Sequence, residues 1–162
     1  MRATDAVKAA LNSTQQSLEM YVSDLSDADL LVRPVPDANH IAWQLGHLIA
    51  AEPFLMRTEL PDAKYPELPA GFAEKHSKET SRLDSGFQTK AVYVDLAKKM
   101  RAATLALLDP LSDSDLDRAG TGRMAKFCPR LADLFLLVSN HTLMHAGQFT
   151  VVRRKLGKPV LF

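Results

Sequence analysis

Two histidines four residues apart, His141 and His145, stand in a segment that is apolar at nearly every third or fourth position. The stripe reads Leu131, Leu134, Val138, His141, His145, Gln148 and Val152, the spacing of one helix face. Residues four apart lie one above the other on that face, so both rings aim at a common spot. A buried imidazole has two ring nitrogens to satisfy, and two such rings in an apolar seam are costly unless something binds them. A metal ion is the simplest occupant. Two imidazoles make a weak site, and His47 is the natural third ligand, because it shares an inward stripe with Trp43, Ala50 and Phe54 on a different predicted helix. Small Ala50 and Ala51 leave room beside it. The competing account, in which each ring satisfies itself by hydrogen bonds inside the bundle, suits one histidine better than a pair plus a third.

The segment His141-Thr-Leu-Met-His145 has the histidine spacing of a metalloprotease helix, but Thr142 stands where that mechanism needs a glutamate base. Zinc peptidase chemistry is therefore disfavoured. Three neutral imidazoles leave a divalent ion's charge largely uncompensated and at least one coordination position open, where a thiolate or hydroxide would bind. No carboxylate lies on either stripe, since Glu52 follows His47 by five residues and projects away from it, so activation falls to the metal. Gln148 either orients a water or substrate or is a buried amide bonded to the first helix. Trp43, one turn before His47, is a core residue that also walls the site. His40, a heptad before His47 in the first helical turn, is placed at the pocket rim, and His76 is read as an ordinary surface histidine. Cys128 is read as a small packing residue. Arg153, Arg154, Lys155 and Lys158 form a basic helix end that complements the helix dipole and stays solvated, an anion-binding mouth being the alternative.

Four predicted helices must position these groups. Val7, Leu11, Leu18, Tyr21 and Leu25, with Thr14 at one stripe position, place the first over about residues 4 to 25. The second runs from about Asn39, a good cap, to about Thr58, and Pro53 inside it should kink it or end it early. Tyr93, Leu96, Met100, Ala103 and Leu107 place the third over about residues 89 to 108. The fourth runs from about Pro129 to about Leu156, where Gly157 and Pro159 stop it. Between Glu59 and Gln88, five Pro and Gly residues break any period, which reads as a long crossover allowing helices two and three to run in the same direction. Such a crossover is either a functional cover or a plain connection. Leu25-Ser-Asp-Ala-Asp-Leu30 recurs as Leu111-Ser-Asp-Ser-Asp-Leu116, a faint internal repeat that relates the two halves of the chain.

At 162 residues with 46% apolar content, residues 1–162 read as one all-α domain with a single sizeable core. A net charge of +1 provides no field to attract nucleic acid or anionic lipid. The polar residues within Leu131–Val152 argue for a core helix rather than a membrane span. With one cysteine and no export signal at the start, the expectation is a cytoplasmic protein.

The segments Asn-His-Ile-Ala-Trp-Gln-Leu-Gly-His-Leu at 39–48 and Asn-His-Thr-Leu-Met-His-Ala-Gly-Gln-Phe at 140–149 resemble those of the DinB/YfiT-like superfamily of metal-dependent enzymes. The resemblance runs through essentially the whole chain in helix order, crossover and histidine placement, and extends to Arg-Arg-Lys-Leu-Gly at 153–157. It implies a four-helix bundle of up-down-down-up order, with His47, His141 and His145 binding Zn²⁺ or Ni²⁺. It also implies a homodimer, and an activity like that of family members which use a low-molecular-weight thiol, activated by the metal, on a small-molecule substrate. A non-catalytic, metal-clamped dimeric bundle acting as a stress-linked structural or partner-binding module is the alternative.

Overall fold

A computed structural model describes residues 1–161. Its long helices are α1 (Ala3–Val22), α2 (Ile41–Met56), α4 (Lys90–Leu107) and α6 (Leu131–Lys155), with short α3 (Phe72–Lys75) and α5 (Asp113–Asp117) in the connections. The four-helix bundle anticipated from the apolar periodicity is present. Side-chain pairings set the directions. Arg153 near the end of α6 reaches Tyr21 near the end of α1, so these helices are parallel, whereas Lys8 of α1 pairs with Asp109 just past α4, so those are antiparallel. His40 at the start of α2 meets Phe87 just before α4, and Gln44 meets His145 of α6. The order is therefore up-down-down-up.

The predicted boundaries hold to within a turn. The first helix ends at Val22 rather than residue 25, and His40, not Asn39, caps α2, its ring accepting from the Trp43 amide at 3.0 Å. Pro53 neither breaks nor greatly shortens α2, which runs three residues beyond it to Met56. Eleven of its sixteen residues are buried, because α2 packs against α4, α6 and the crossover, so neighbouring elements hold its last turn.

The internal repeat is structural. In each copy the serine and the second aspartate exchange hydrogen bonds: Ser26 N to Asp29 Oδ2 at 2.8 Å with Asp29 N to Ser26 Oγ at 3.1 Å, and Ser112 N to Asp115 Oδ2 at 2.8 Å with Asp115 N to Ser112 Oγ at 3.2 Å. The first aspartate of each copy caps the opening helix of the other half. Asp27 accepts from the Lys90 amide at the start of α4, and Asp113 from the Ala3 amide at the start of α1. The two halves thus tie each other's first helix down in the same way.

The core consists of two apolar clusters separated by a polar layer. One gathers Leu18, Leu45, Ile49, Met100 and Phe149, and the other Leu11, Met56, Leu108, Leu134 and Phe135. Between them lies Arg101 of α4, only 3% exposed. Its Nε and Nη2 donate to the two carboxylate oxygens of Glu52 on α2 at 3.0 and 3.1 Å. Nη1 donates to the Leu11 carbonyl and Thr14 Oγ1 of α1 at 2.6 and 3.0 Å, and Nη2 also reaches Thr142 Oγ1 of α6 at 3.1 Å. One guanidinium therefore joins all four long helices.

Several expectations for α6 need correction. Its buried arc is turned toward Thr142, Ala146, Phe149 and Arg153, since the helix packs on both α1 and α2. His141 falls at the edge of that arc, half-buried, and Gln148 falls beyond it, exposed and not bonded into the bundle core. Arg153 is fully buried rather than solvated: it donates to the Tyr21 carbonyl at 2.9 Å, to the Pro159 carbonyl at 3.0 Å and to Asp24. The physical reason is that α1 ends beside it, and the last carbonyls of a helix need donors from outside. No described helix is long and apolar enough to cross a membrane.

The crossover is bonded down along its length. Tyr65 Oη and Thr104 Oγ1 are 2.8 Å apart, Trp43 Nε1 donates to the Ser77 carbonyl at 3.0 Å, and Arg33 donates to the Ser81 and Leu83 carbonyls. His76, expected at the surface, is 2% exposed. One ring nitrogen bonds the Phe72 carbonyl at 2.7 Å and the other the Tyr93 hydroxyl at 2.8 Å. Its ring lies where a side chain on Gly46 would be, a Cβ there meeting ring atoms at 2.0–2.3 Å. The absence of a side chain on α2 is what lets the crossover seat. Gly46→Ala is expected to expel His76 despite the better helix propensity of alanine, costing about 1–3 kcal/mol. Limited proteolysis should then cut within residues 60–88 at protease levels that leave the wild type intact.

Candidate metal centre

His47 comes from the middle of α2, and His141 and His145 from successive turns of antiparallel α6. The structure brings together the three histidines singled out by spacing. One ligand-capable nitrogen from each lies within 4.8 Å of the other two, close enough for a single ion to reach all three rings. Ring centroids are 5.2 Å apart for His47 and His141, 5.4 Å for His47 and His145, and 4.9 Å for His141 and His145. The Nε2 atoms of His141 and His145 face each other at 3.2 Å. Among the described residues no carboxylate or thiol joins the group. Glu52 is committed to Arg101, and Cys128 is a buried packing residue whose thiol pKa is raised, first by burial and then by Asp133 and Glu59.

The rings are held from behind. His145 Nδ1 bonds Gln44 Oε1 at 2.8 Å, and the amide is fixed in that sense because Gln44 Nε2 donates to the Asn39 carbonyl at 2.8 Å. The Gln44 oxygen must then accept from an Nδ1–H, which leaves the His145 Nε2 lone pair facing His141. The crossover reaches the same place, the His76 carbonyl favouring the protonated form of His47. Trp43 lies parallel to His47, with centroids 5.0 Å apart and planes 5° from parallel. It forms one wall of the site, as well as being buried. His40 is not at a rim: it is fully buried, with Nε2 on the Leu83 carbonyl at 3.0 Å and the ring edge-on to Phe87. Gln148, exposed, is not among the residues around the site.

Sequence reasoning missed Gln44. The signal was a polar amide one turn before His47 in a segment otherwise greasy on every side. Gln44→Leu is expected to weaken Zn²⁺ binding about 10- to 100-fold while all three ligands remain, as loss of an orienting partner does. Competition with a chromogenic chelator measures it.

Burial dominates the electrostatics. It pushes His145 down to about 3, with help from the neighbouring His141 and His47, and His141 down to about 4, with help from His47. His47 is lowered by burial and by Lys78, against the His76 carbonyl that favours its protonated form. All three rings are neutral near pH 7, with lone pairs available. Neutral rings in the fold and an ordinary value near 6.5 in the unfolded chain mean that unfolding takes up protons below that pH. The metal-free protein should therefore lose stability as pH falls from about 6.5 toward 4, by up to about 1.4 kcal/mol per pH unit for each ring that titrates only on unfolding. Urea midpoints in chelator at several pH values test this, and His145→Ala should have the shallower slope.

An open cleft of about 440 Å³ lies beside the centre, lined by His47, His141, His76 and Ser77 and by Ala50, Ala51, Leu55 and Ala73. Phe54, expected inward, lines it while 53% exposed, its outer face covered by the Arg123 guanidinium at 4.0 Å. A larger groove of about 650 Å³ between α1 and α4 is bordered by Glu19, Lys90, Asp95 and Lys98 and has no histidine or cysteine.

Fold and centre together define a class: an all-helical bundle that gathers three neutral imidazoles, two of which line a cleft at its side. The family model of the DinB superfamily matches residues 10–149, and the chain belongs to that superfamily. Among solved structures it is similar to a DinB-like protein from Bacillus cereus ATCC 10987, with a TM-score of 0.72 and 18% identity over 98% of this chain and 97% of the other. It is also similar to a conserved protein from Enterococcus faecalis, with a TM-score of 0.71 and 17% identity over 98% of this chain and 99% of the other. At these identities the likeness concerns the fold. No curated protein matches.

Proposed function

We propose that this protein is a divalent-metal-dependent enzyme, a transferase that joins a low-molecular-weight thiol to a small electrophilic substrate, with Zn²⁺ or Ni²⁺ held by His47, His141 and His145. The observation that carries the reading is the pairing of three neutral imidazoles with an adjoining cleft. A divalent ion bound there would supply Lewis-acid charge that lowers the pKa of a thiol at its open position. The protein's part is to hold the ring nitrogens neutral, to fix His145 through Gln44, and to stack Trp43 on His47 so that bulk water is kept from that side. The lack of a carboxylate in the group favours activation by the ion over a protein base.

The test is turnover of an electrophilic substrate with glutathione, bacillithiol and mycothiol offered separately, before and after chelation. The proposal expects activity with at least one thiol, lost on chelation and restored by Zn²⁺ or Ni²⁺. Metal-independent turnover, or none with any thiol, defeats it.

A further inference from the structure

Between Asp133 and Arg153 helix α6 has no charged residue, and its parallel neighbour α1 has none between Lys8 and Glu19. Besides the stripe it buries, each carries a second stripe of the same three- and four-residue spacing on its outer side. On α1 it runs Ala6, Ala9, Ser13, Gln16 and Met20, all exposed. On α6 it runs Leu136, Asn140, Leu143, Gly147 and Val151, also all exposed. Leu136, Leu143, Val151 and the adjacent Met144 are large apolar side chains left in solvent, gathered into one patch. From this face we infer that α1 and α6 pack antiparallel against the same two helices of a second copy of the chain, about a two-fold axis passing between Leu143 and Met144.

Gly147 indicates a helix as the occupant. After proline, glycine is the residue least favourable inside a helix, so its place in the middle of α6 needs a reason. A Cβ at Gly46 would strike His76, which explains that glycine from within the chain, but a Cβ at Gly147 would meet nothing within 4 Å. Bare backbone on an outer stripe instead lets a second helix come close.

The face complements itself. About that axis Asn140 stands opposite the partner's Gly147, Leu136 opposite the partner's Val151 and Asp133 opposite the partner's Arg154. The α1 stripe is centred on Ser13 at the same level, because Thr14 lies 3.5 Å from Ser139 and shares the Arg101 guanidinium with Thr142, so one axis serves both helices. Shape and charge agree with this pairing. At the start of α6 a groove of about 470 Å³ is lined by Phe127, Leu136, Leu137 and Asn140, together with Asp133 and Arg130. Arg130 is held between Asp117 and Asp133, two carboxylates to one guanidinium. At the far end Arg154 is exposed, with no carboxylate partner among the described residues. The partner's Arg154 and Val151 enter that groove. The groove between α1 and α4, bordered by four charged residues, has no such apolar patch. Because α2 flanks α6 on the side away from α1, both metal clefts stay open, along one edge of the dimer.

Sedimentation equilibrium of the full chain tests this. The wild type should be a dimer. Gly147→Leu should weaken association at least about 30-fold, as a change at a central interface position does, yet should not lower the melting temperature of the separated chain, since leucine favours the helix. Leu143→Glu should weaken association at least as much, and Arg154→Asp about tenfold, with a smaller effect at high salt. Asn140→Cys combined with Gly147→Cys should oxidise to a covalent dimer, because the two thiols are about 10 Å apart along one helix and can meet only across the axis. Lys98→Cys, on the α1–α4 groove, should not cross-link. A wild type that is monomeric at about 100 μM overturns the inference, whether or not the face then binds phosphatidylcholine vesicles. A dimer that survives both Gly147→Leu and Leu143→Glu overturns it too. Wild-type sedimentation and the cysteine pair decide the matter if a substituted chain does not fold. Metal content per chain should be unchanged in the monomeric variants, so the dimer face and the metal centre stand or fall separately.

Discussion

His141→Ala and His145→Ala should each purify without stoichiometric Zn²⁺ or Ni²⁺ and should gain no thermal stability when either ion is added. The argument follows from the donor set. Three imidazoles are the whole of the candidate shell among the described residues, and no carboxylate or thiol stands by to replace one. Removing one leaves two nitrogens and more open positions than a tight site tolerates. The loss should exceed the roughly 10- to 100-fold that follows removal of an orienting group such as Gln44. For the wild type, free metal at about 100 times its dissociation constant adds about 2.7 kcal/mol to the stability of the fold. In a domain of this size that raises the melting temperature by about 5–10 °C. The variants should show no such rise. His47→Ala should behave alike, because its ring is the contribution from α2 and without it the ion would touch α6 alone. Metal content by elemental analysis, together with melting curves in chelator and in added metal, measures both effects. Unchanged stoichiometry in the two α6 variants would refute the assignment.

That the three histidines could be chosen from the sequence has a physical reason. An imidazole at an apolar stripe position contradicts its surroundings, and two such contradictions at i and i+4 narrow the explanations sharply. The bundle was legible for a similar reason, since each long helix buries one stripe and stripes repeat. Periodicity could not fix the rotation of α6 about its axis. With apolar residues on more than one face, packing on α1 and α2 buries most of the predicted stripe, Leu131, Leu134, Val138, His145 and Val152, together with the neighbouring Thr142, Ala146 and Phe149, and leaves His141 at the edge and Gln148 outside. His40 and Arg153 were misplaced because each satisfies its polar atoms with a backbone group far away in sequence, at Leu83 and Tyr21, and His76 because its second ring nitrogen finds the Tyr93 hydroxyl on α4. A linear pattern has no term for such partners. The polar layer did leave a trace, because Thr14 occupies a stripe position on α1 at the same level as Arg101 and Thr142.

That layer carries the other large expectation. Arg101→Met should destabilise the protein by about 3–5 kcal/mol, the usual cost of leaving one member of a buried ion pair without its partner. Glu52 would remain 8% exposed among apolar residues with its two best donors gone, and the Leu11 carbonyl and both threonine hydroxyls would each lose a hydrogen bond. Glu52→Leu alone should cost a similar amount, because the guanidinium would then be the uncompensated charge. The double variant is the informative one. With both charges gone and side chains of similar bulk in place, the two apolar clusters could join, and stability should return to near or above the wild-type value. Urea unfolding of the four proteins gives the coupling energy directly. Zn²⁺ affinity should differ little between the double variant and wild type, since neither Arg101 nor Glu52 contacts a ring of the centre and Gln44 still fixes His145. If instead the double variant folds and has lost the metal, the position of Thr142 between His141 and the guanidinium becomes the explanation. The Arg101 clasp would then set the register of α6 against α2 on which the convergence of the three rings depends.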